Sequence, residues 1–556
     1  LALLLLGCLL AHQVQTAGGV RMIDVRFVGS GGTAMSGLLH IPPNATRKTP
    51  APGVLAVHGY FNSRETQGDF AIEFARRGYV VLALDQTGHG YSDPPAFANG
   101  FGGADGLRFL RGLDIVDKNN IGLEGHSMGG WAVVNAAAAI PDGYKAIVLA
   151  GSSTGAPFAP EGTAVFPRNM AVIFAKFDEF APTMWGVPLA RDVPQSIKLQ
   201  TAFGTQSAVE PGRLYGSVDT GTGRMLFQPG GTHPWNHLSQ TAIGDAVSWF
   251  QRTLDGGTKK PPQDQIWMWK ELGTTIALAG FVVLVLGLFE VFLRFPYFAP
   301  LAAQPVATAS ARTFRWWTTL VFGALLPAVT LFPFMQVGAS FVPASKLLPQ
   351  AFANEILVWA LLNAALIALL GLLPGGSKLP VKRFVGRATL LAVLTVAVSY
   401  VAVVLVNAMF QVDLRYWFIA FRPMGASQVD TFALYALPFA LFFSVSMRAL
   451  HANLSVSTHS PVIQYLVNVV ALAAGFVVFL AVQYGLLFSG HSQLSFYMND
   501  ALRTIVAINF VPLMVIAALI STFTWRRTGS YLPGALICAL LVAWYVVVGQ
   551  ATQVGP

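Results

Sequence analysis

Two rhythms of apolar and polar residues divide the chain. Between residues 20 and 255 short apolar runs alternate with amphipathic stretches, whereas from residue 273 the apolar runs are long enough to cross a bilayer. In the first part, residues 21–28 and 33–40 read as strands joined by Gly29-Ser30-Gly31-Gly32, a hairpin signal. Buried strands are predicted at 53–58, 79–84, 146–150 and 170–175, with a further one ending at His126. Helices are predicted at 65–77 (apolar face Phe70, Ile72 and Phe74), 103–116, 131–140, 194–202 and 242–254, with a Gly-rich hairpin over 213–227. An antiparallel start followed by strand–helix alternation predicts a mostly parallel sheet with helices on both faces. Residues 20–255 suffice for one such α/β domain. Residues 256–272, rich in Gly, Lys and Pro at their start, read as a linker. Apolar runs near 273–294, 316–336, 354–373, 388–410, 431–449, 463–488, 504–524 and 531–549 then predict an all-α, polytopic membrane domain over 273–556. Residues 1–12 form one more apolar segment, read as a signal or anchor helix that lacks its beginning.

Composition agrees with this division: 54% of the 556 residues are hydrophobic and 11% charged. The formal net charge of +9 falls wholly after residue 265, in loops between apolar runs. It is therefore a topology signal, and nucleic acid is excluded as a partner. Loops after the first, third, fifth and seventh runs carry Arg294, Arg312, Arg315, Lys378, Lys382, Arg383, Arg387, Arg448, Arg526 and Arg527. The alternate loops carry only Lys346, Arg415, Arg422 and Arg503. The first set belongs in the cytoplasm, which leaves residues 20–255 on the extracytoplasmic side, as an N-terminal anchor also predicts. The two cysteines, Cys8 and Cys538, sit in apolar runs and exclude a disulfide framework. Leu5-Leu6-Gly7-Cys8 loosely resembles a lipobox, but the apolar run continues past it, so a plain anchor is the better reading.

Candidate chemistry centres on Gly125-His126-Ser127-Met128-Gly129, placed between a strand and an alanine-rich helix. There a serine sits on a sharp turn with its hydroxyl above the sheet, and glycines stand where a Cβ would collide. No Gly-rich phosphate loop occurs, since Gly100–Gly103 lacks the Lys-Ser/Thr ending. His233 and His237 have helical zinc-pair spacing, but Pro234 between them argues against it. No cofactor or metal is expected.

His58-Gly59-Tyr60, Asp85-Gln86-Thr87-Gly88-His89-Gly90-Tyr91-Ser92 and Gly125–Gly130 occur in an order that resembles α/β hydrolases of the esterase/lipase type, over about residues 20–255. The resemblance implies a nucleophile, then an acid, then a histidine. Ser127 is the nucleophile. Asp178 matches the acid loop best, with Glu179 as rival. His233 is favoured over His237 as the base, because it stands earlier in its loop. Oxyanion donors would be the N–H groups of Met128 and Tyr60, with Phe61 next in line. Phe61, Trp185, Trp235 and His237 are expected to contact substrate, although each aromatic reads equally well as core. Only about twenty residues separate strands 146–150 and 170–175, so a large lid is absent. The site is either open or covered by the membrane domain or a partner.

The expected activity is hydrolysis of carboxylic esters, of lipids or other apolar acyl compounds. An acyltransferase or peptidase could use the same triad. The contrasting expectation is a transporter or sensor with an inactive hydrolase-like module. Glu290, four residues before Arg294, is the one acid picked out within an apolar run, which disfavours ion-coupled transport. Asn363, Asn407, Asn468, Gln483 and Asn509 read as interhelical contacts. The bundle is expected to touch membrane lipids and to act as anchor, self-association platform or lipid-presenting surface.

Overall fold

The computed structural model describes residues 1–303, 313–372, 384–454 and 461–555. Arg312, Lys378, Lys382 and Arg383, used above for topology, and the last residue of the run ending at 373 lie outside the described residues.

The sheet is built from β1 (Arg21–Val28), β2 (Ala34–Ile41), β3 (Ala51–Val57), β4 (Val80–Asp85), β5 (Val116–His126), β6 (Ala146–Ala150), β7 (Met170–Ile173), β8 (Leu214–Tyr215) and β9 (Arg224–Phe227). Their order is β1-β2-β4-β3-β5-β6-β7-β9-β8. β1, β2 and β4 pair antiparallel, β4 through β9 pair parallel, and β8 closes antiparallel on β9. Every residue of β3 and β4 is buried, as continuous apolar runs in a parallel sheet covered on both faces must be. One face packs α3 (Gly103–Gly112) and α4 (Met128–Ala139) through Leu107, Leu110 and Val133. The other packs α2 (Gly68–Ala75) and α7 (Gln240–Thr253) through Phe70, Phe74, Ile243 and Val247. The predicted helix over 65–77 is a 3₁₀ turn followed by the short α2, and the predicted helix over 103–116 ends at Gly112 because β5 begins at Val116.

Among the described residues, seven helices are long and apolar enough to cross a membrane: α8 (Trp267–Leu293), α11 (Ala351–Leu370), α12 (Val385–Phe410), α13 (Ala426–Leu454), α14 (Pro461–Phe488), α15 (Asp500–Thr528) and α16 (Leu532–Gly549). The pair α9 (Phe314–Val329) and α10 (Leu331–Phe341), bent by 44°, is a broken span or a re-entrant loop. The protein is thus a multi-pass membrane protein. Pro327 lies at the bend, where its missing N–H interrupts the helical ladder. The indole N–H of Trp359 on α11 donates to the Pro327 carbonyl at 3.0 Å. Glu290 pairs with Arg294 at 3.2 Å and Arg527 at 3.1 Å. A further acid lies within a span: Glu355 on α11, which pairs with Arg503 at 2.9 Å.

Two features make the junction rigid. The expected linker is pinned, with Arg77 donating to the Pro261 and Asp264 carbonyls at 2.6 and 2.9 Å. Glu73 on α2 accepts from the N–H groups of Ile266 and Trp267 at 2.7 and 3.2 Å, capping α8 from within the sheet domain. The N-terminal helix α1 (Ala2–Gln15) lies along α8. Cys8 is fully enclosed there rather than offered for lipidation. A Cβ on Gly280 would stand 2.4 Å from the Leu4 nitrogen, so small residues set this approach. Gly287 on the same helix faces open space. Gly280→Ala is expected to destabilise the protein by about 1–3 kcal/mol through overpacking. Gly287→Ala should not, and thermal melts of the two variants in detergent check the contrast.

Candidate functional site

β5 delivers Ser127 to the carboxyl edge of the sheet. Its backbone has φ 54° and ψ −122°, a region a non-glycine residue occupies at a cost, and its N–H is tied to the Ala150 carbonyl at 2.8 Å. The flanking glycines are required by contact. A Cβ on Gly125 would lie 2.2 Å from the Gly129 oxygen, and one on Gly129 would lie 2.0 Å from the Val57 oxygen. The next residue, Met128, opens α4. The N–H groups of Met128 and Tyr60 have no protein acceptor among the described residues.

The loop after β7 carries Asp178 and Glu179, and both reach His233. Asp178 takes the ring, its two oxygens 3.0 and 3.1 Å from Nδ1. Glu179 takes the backbone, accepting from the His233 N–H at 2.8 Å. Phe180 N–H donates back to Asp178 at 2.9 Å and sets its rotamer. Ser127 and His233 line one cavity with Gly59, Tyr60 and Phe61. Among the described residues the Ser127 hydroxyl makes no hydrogen bond, to His233 or to any other group.

Electrostatics distinguishes the histidines. Burial alone would lower the His233 pKa, but the Asp178 charge, its hydrogen bond and the Glu179 charge raise it above the ordinary value. Burial, then His233 and Arg415, push His237 down to about 3. Burial and the two neighbouring histidines push His126 well down as well. His237 and His126 are therefore neutral, packed with ring centroids 4.0 Å apart, and His126 Nε2 lies 3.2 Å from the His233 carbonyl oxygen. His58 is structural: Nδ1 sits 2.7 Å from the Gly59 oxygen, and Nε2 accepts from Gln86 N–H at 3.2 Å.

Three residues expected to touch substrate lie elsewhere. Trp185 is 1% exposed and packs edge-on against Phe174 in the core beside the sheet. Trp235 is 45% exposed and meets Trp417 rather than the cavity. His237 is shut between His126, Phe70 and Phe418. Phe61 alone of that set lines the cavity, in a left-handed conformation with φ 62° and its ring 4.4 Å from Phe352 on α11.

The cavity has a roof that the sequence reading left undecided. Its far wall comes from Ile356 on α11, Leu502, Val506 and Phe510 on α15, and Tyr545 on α16. A small hairpin, β10 (Leu414–Tyr416) and β11 (Ile419–Phe421), reaches over the mouth and contributes Phe418. Polar contacts lock roof to base. Arg415 donates to Thr66 at 3.0 Å, and the Tyr91 hydroxyl to the Pro423 carbonyl at 3.0 Å. Thr552 N–H donates to the Gly88 carbonyl at 2.8 Å. The Tyr484 hydroxyl on α14 donates to Glu179 at 2.9 Å, a link no local pattern around Tyr484 announces.

The strand order and the helices on both faces give the N-terminal part of the chain an α/β-hydrolase-like fold. Residues 48–209 match the family described as serine aminopeptidase, S33. A 2-hydroxy-6-oxononadienedioate/2-hydroxy-6-oxononatrienedioate hydrolase of Cupriavidus pinatubonensis is 40% identical over 89 residues, covering 16% of this chain and 30% of that protein. The chain thus spans less than a third of the length of the curated relatives it matches. Among solved structures, a Pyrococcus furiosus esterase is similar at 14% identity and a TM-score of 0.32, over 42% of this chain and 92% of that one. A dienelactone hydrolase of Anabaena variabilis is similar at 20% identity and a TM-score of 0.28, over 42% and 99%.

Tyr484→Phe leaves a Glu179 oxygen without its donor and is expected to cost about 1–3 kcal/mol of stability. A double-mutant cycle with Glu179→Gln, followed by thermal melting, should show the two changes to be non-additive.

Proposed function

We propose that the protein is a membrane-embedded serine hydrolase that cleaves carboxylic esters on the extracytoplasmic side. The observation that carries this reading is the convergence on one cavity of Ser127, an Asp178-held His233 and Tyr60, whose N–H has no acceptor among the described residues. Ser127 Oγ attacks the ester carbonyl carbon while its proton passes to His233 Nε2, and Asp178 steadies the imidazolium through Nδ1. The carbonyl oxygen becomes an oxyanion, which the Met128 and Tyr60 N–H groups stabilise. Collapse breaks the bond to the alkoxy oxygen, which leaves with the proton from His233. Water, deprotonated by His233, then attacks the acyl-enzyme and frees the acid and Ser127.

The sidedness is supported by the arginines. Arg294, Arg315, Arg387, Arg448, Arg526 and Arg527 stand at the helix ends away from the hydrolase domain. Of the four bases assigned to the near side, Arg415, Arg422 and Arg503 are buried and held by Asp413, by the Val548 carbonyl, and by Glu355 with Asp500. Those three serve packing rather than topology, which sharpens the asymmetry.

A peptidase reading is favoured by the description of the matched family. An aminopeptidase would hold a cationic amine, and the dicarboxylate named for the Cupriavidus relative would call for a cation. The residues lining this cavity include no Asp, Glu, Lys or Arg, so an uncharged ester fits better.

Ser127→Ala should abolish labelling by a fluorophosphonate and lower ester turnover by at least about three orders of magnitude. The acid limb of kcat/KM reports His233, which must be neutral to act, so activity falls as pH drops through its raised pKa. Glu179→Gln removes one of the charges that raise it, and the limb should move to lower pH. A limb that stays in place would separate the group being titrated from His233.

A further inference from the structure

The Ser127 cavity has two unlike ends. One end carries Ser127, the His233 imidazole and Tyr60, and the other end is made by membrane-spanning helices. Around an open volume of about 50 Å³, Leu502, Ile505, Val506 and Phe510 follow one face of α15, so the apolar lining follows about 12 Å of helix, at 1.5 Å per residue. That is a sizeable fraction of the roughly 30 Å hydrocarbon thickness. Near the polar end Gln550 is 8% exposed, lines the cavity, and has an Oε1 with no protein donor among the described residues. A buried acceptor of that kind suits a hydroxyl donor. With no cationic side chain in the lining, a phosphate or carboxylate headgroup has no counter-charge.

A second hollow lies on the other flank of α15, between it and α14, lined by Val477, Leu480, Ile508, Val511 and Pro512, with Trp417 at its top. It shares Asn509 with the first. α14 is the least buried of the seven unbroken spans, and Val477 is 50% exposed, so this hollow faces the bilayer. Trp417 has φ 55° and precedes Phe418, which lines the first cavity, so the hairpin tip sits between the two.

We infer that the membrane domain builds an acyl-tail site for the hydrolase. The carbonyl of an uncharged bilayer lipid ester sits at Ser127, its tail runs down between α11, α15 and α16, and it arrives through the groove between α14 and α15. The inference rests on the serine-hydrolase reading above and adds where the tail lies and how it enters. It gives the roof a purpose beyond anchoring: the domain that holds the enzyme at the membrane also measures its substrate.

The test uses the full chain in detergent with p-nitrophenyl acetate and p-nitrophenyl palmitate, and fluorophosphonate labelling alongside. The wild type should prefer palmitate, and Val506→Trp should lower the palmitate-to-acetate ratio of kcat/KM by about tenfold or more. Phe510→Ala, which enlarges the deep end, keeps the test valid if the tryptophan variant does not fold, and should move the preference towards longer chains. A chain-length profile unchanged in the variants that fold would overturn the tail site. Loss of labelling and of all turnover in the wild type would instead overturn the hydrolase reading. In phosphatidylcholine proteoliposomes carrying a long-chain diacylglycerol, fatty-acid release should depend on the groove, with Leu480→Trp slowing it about tenfold. Undiminished release would overturn the lateral route, and release from phosphatidylcholine in preference to diacylglycerol would overturn the uncharged headgroup.

Discussion

His233 is held by two carboxylates that are neighbours in the chain, and the site depends on their division of labour. Asp178 holds the ring nitrogen and Glu179 the backbone N–H, so the imidazole is fixed in both orientation and position. Two acids side by side in an enclosed site repel one another. The result is visible on Glu179, whose pKa burial and the Asp178 charge raise to about 7. The arrangement is tolerable because each acid has donors of its own: Phe180 N–H for Asp178, and Tyr484 with His233 N–H for Glu179. One of those donors belongs to a membrane-spanning helix. The catalytic loop and α14 are thus parts of one hydrogen-bonded unit.

Around this unit, charge is kept at the junction and out of the cavity. Asp24 pairs with Arg64, and Asp413 with Arg415, in the contact between the two domains. Tyr91 lies between the guanidinium groups of Arg64 and Arg422, 5.0 and 4.8 Å from its ring. A buried pair such as Asp413–Arg415 adds little net stability, but removing one partner is costly, so it specifies one way of docking. The cavity itself is walled by aromatic and aliphatic side chains, the His126 and His233 rings and a few uncharged polar groups. In such surroundings a developing oxyanion gains most from the few dipoles aimed at it.

Three of the eight non-glycine residues with positive φ among the described residues lie at or beside the cavity. Ser127, Phe61 and Trp417 all have positive φ without being glycine, and they stand respectively at the turn after β5, in the loop after β3 and at the hairpin tip. Each such residue costs on the order of 1–3 kcal/mol and persists only where packing over-determines it. Phe61 is held by Phe352, and Trp417 by Trp235 and the Pro234 carbonyl, so the domain interface supplies that packing.

What the sequence determined alone was whatever depends on short-range rules. Period-two and continuous apolar runs marked the strands of the sheet, long apolar runs marked the spans, and Gly-His-Ser-Met-Gly between strand and helix marked Ser127. The tertiary structure decided what depends on residues remote in the chain. Asp178 and Glu179 are equivalent as neighbouring letters, and only the path of the loop past His233 assigns one to the ring and the other to the backbone. Trp185 and Trp235 read as cavity walls because aromatic residues suit both core and site, and burial against Phe174 or stacking on Trp417 separates the two uses. Glu355 stands in an apolar run, and its partner Arg503 lies 148 residues away. The roof follows the same logic: α11, α15 and α16 are apolar enough to read as membrane spans, and nothing in that pattern says which of their faces meets lipid and which meets the serine.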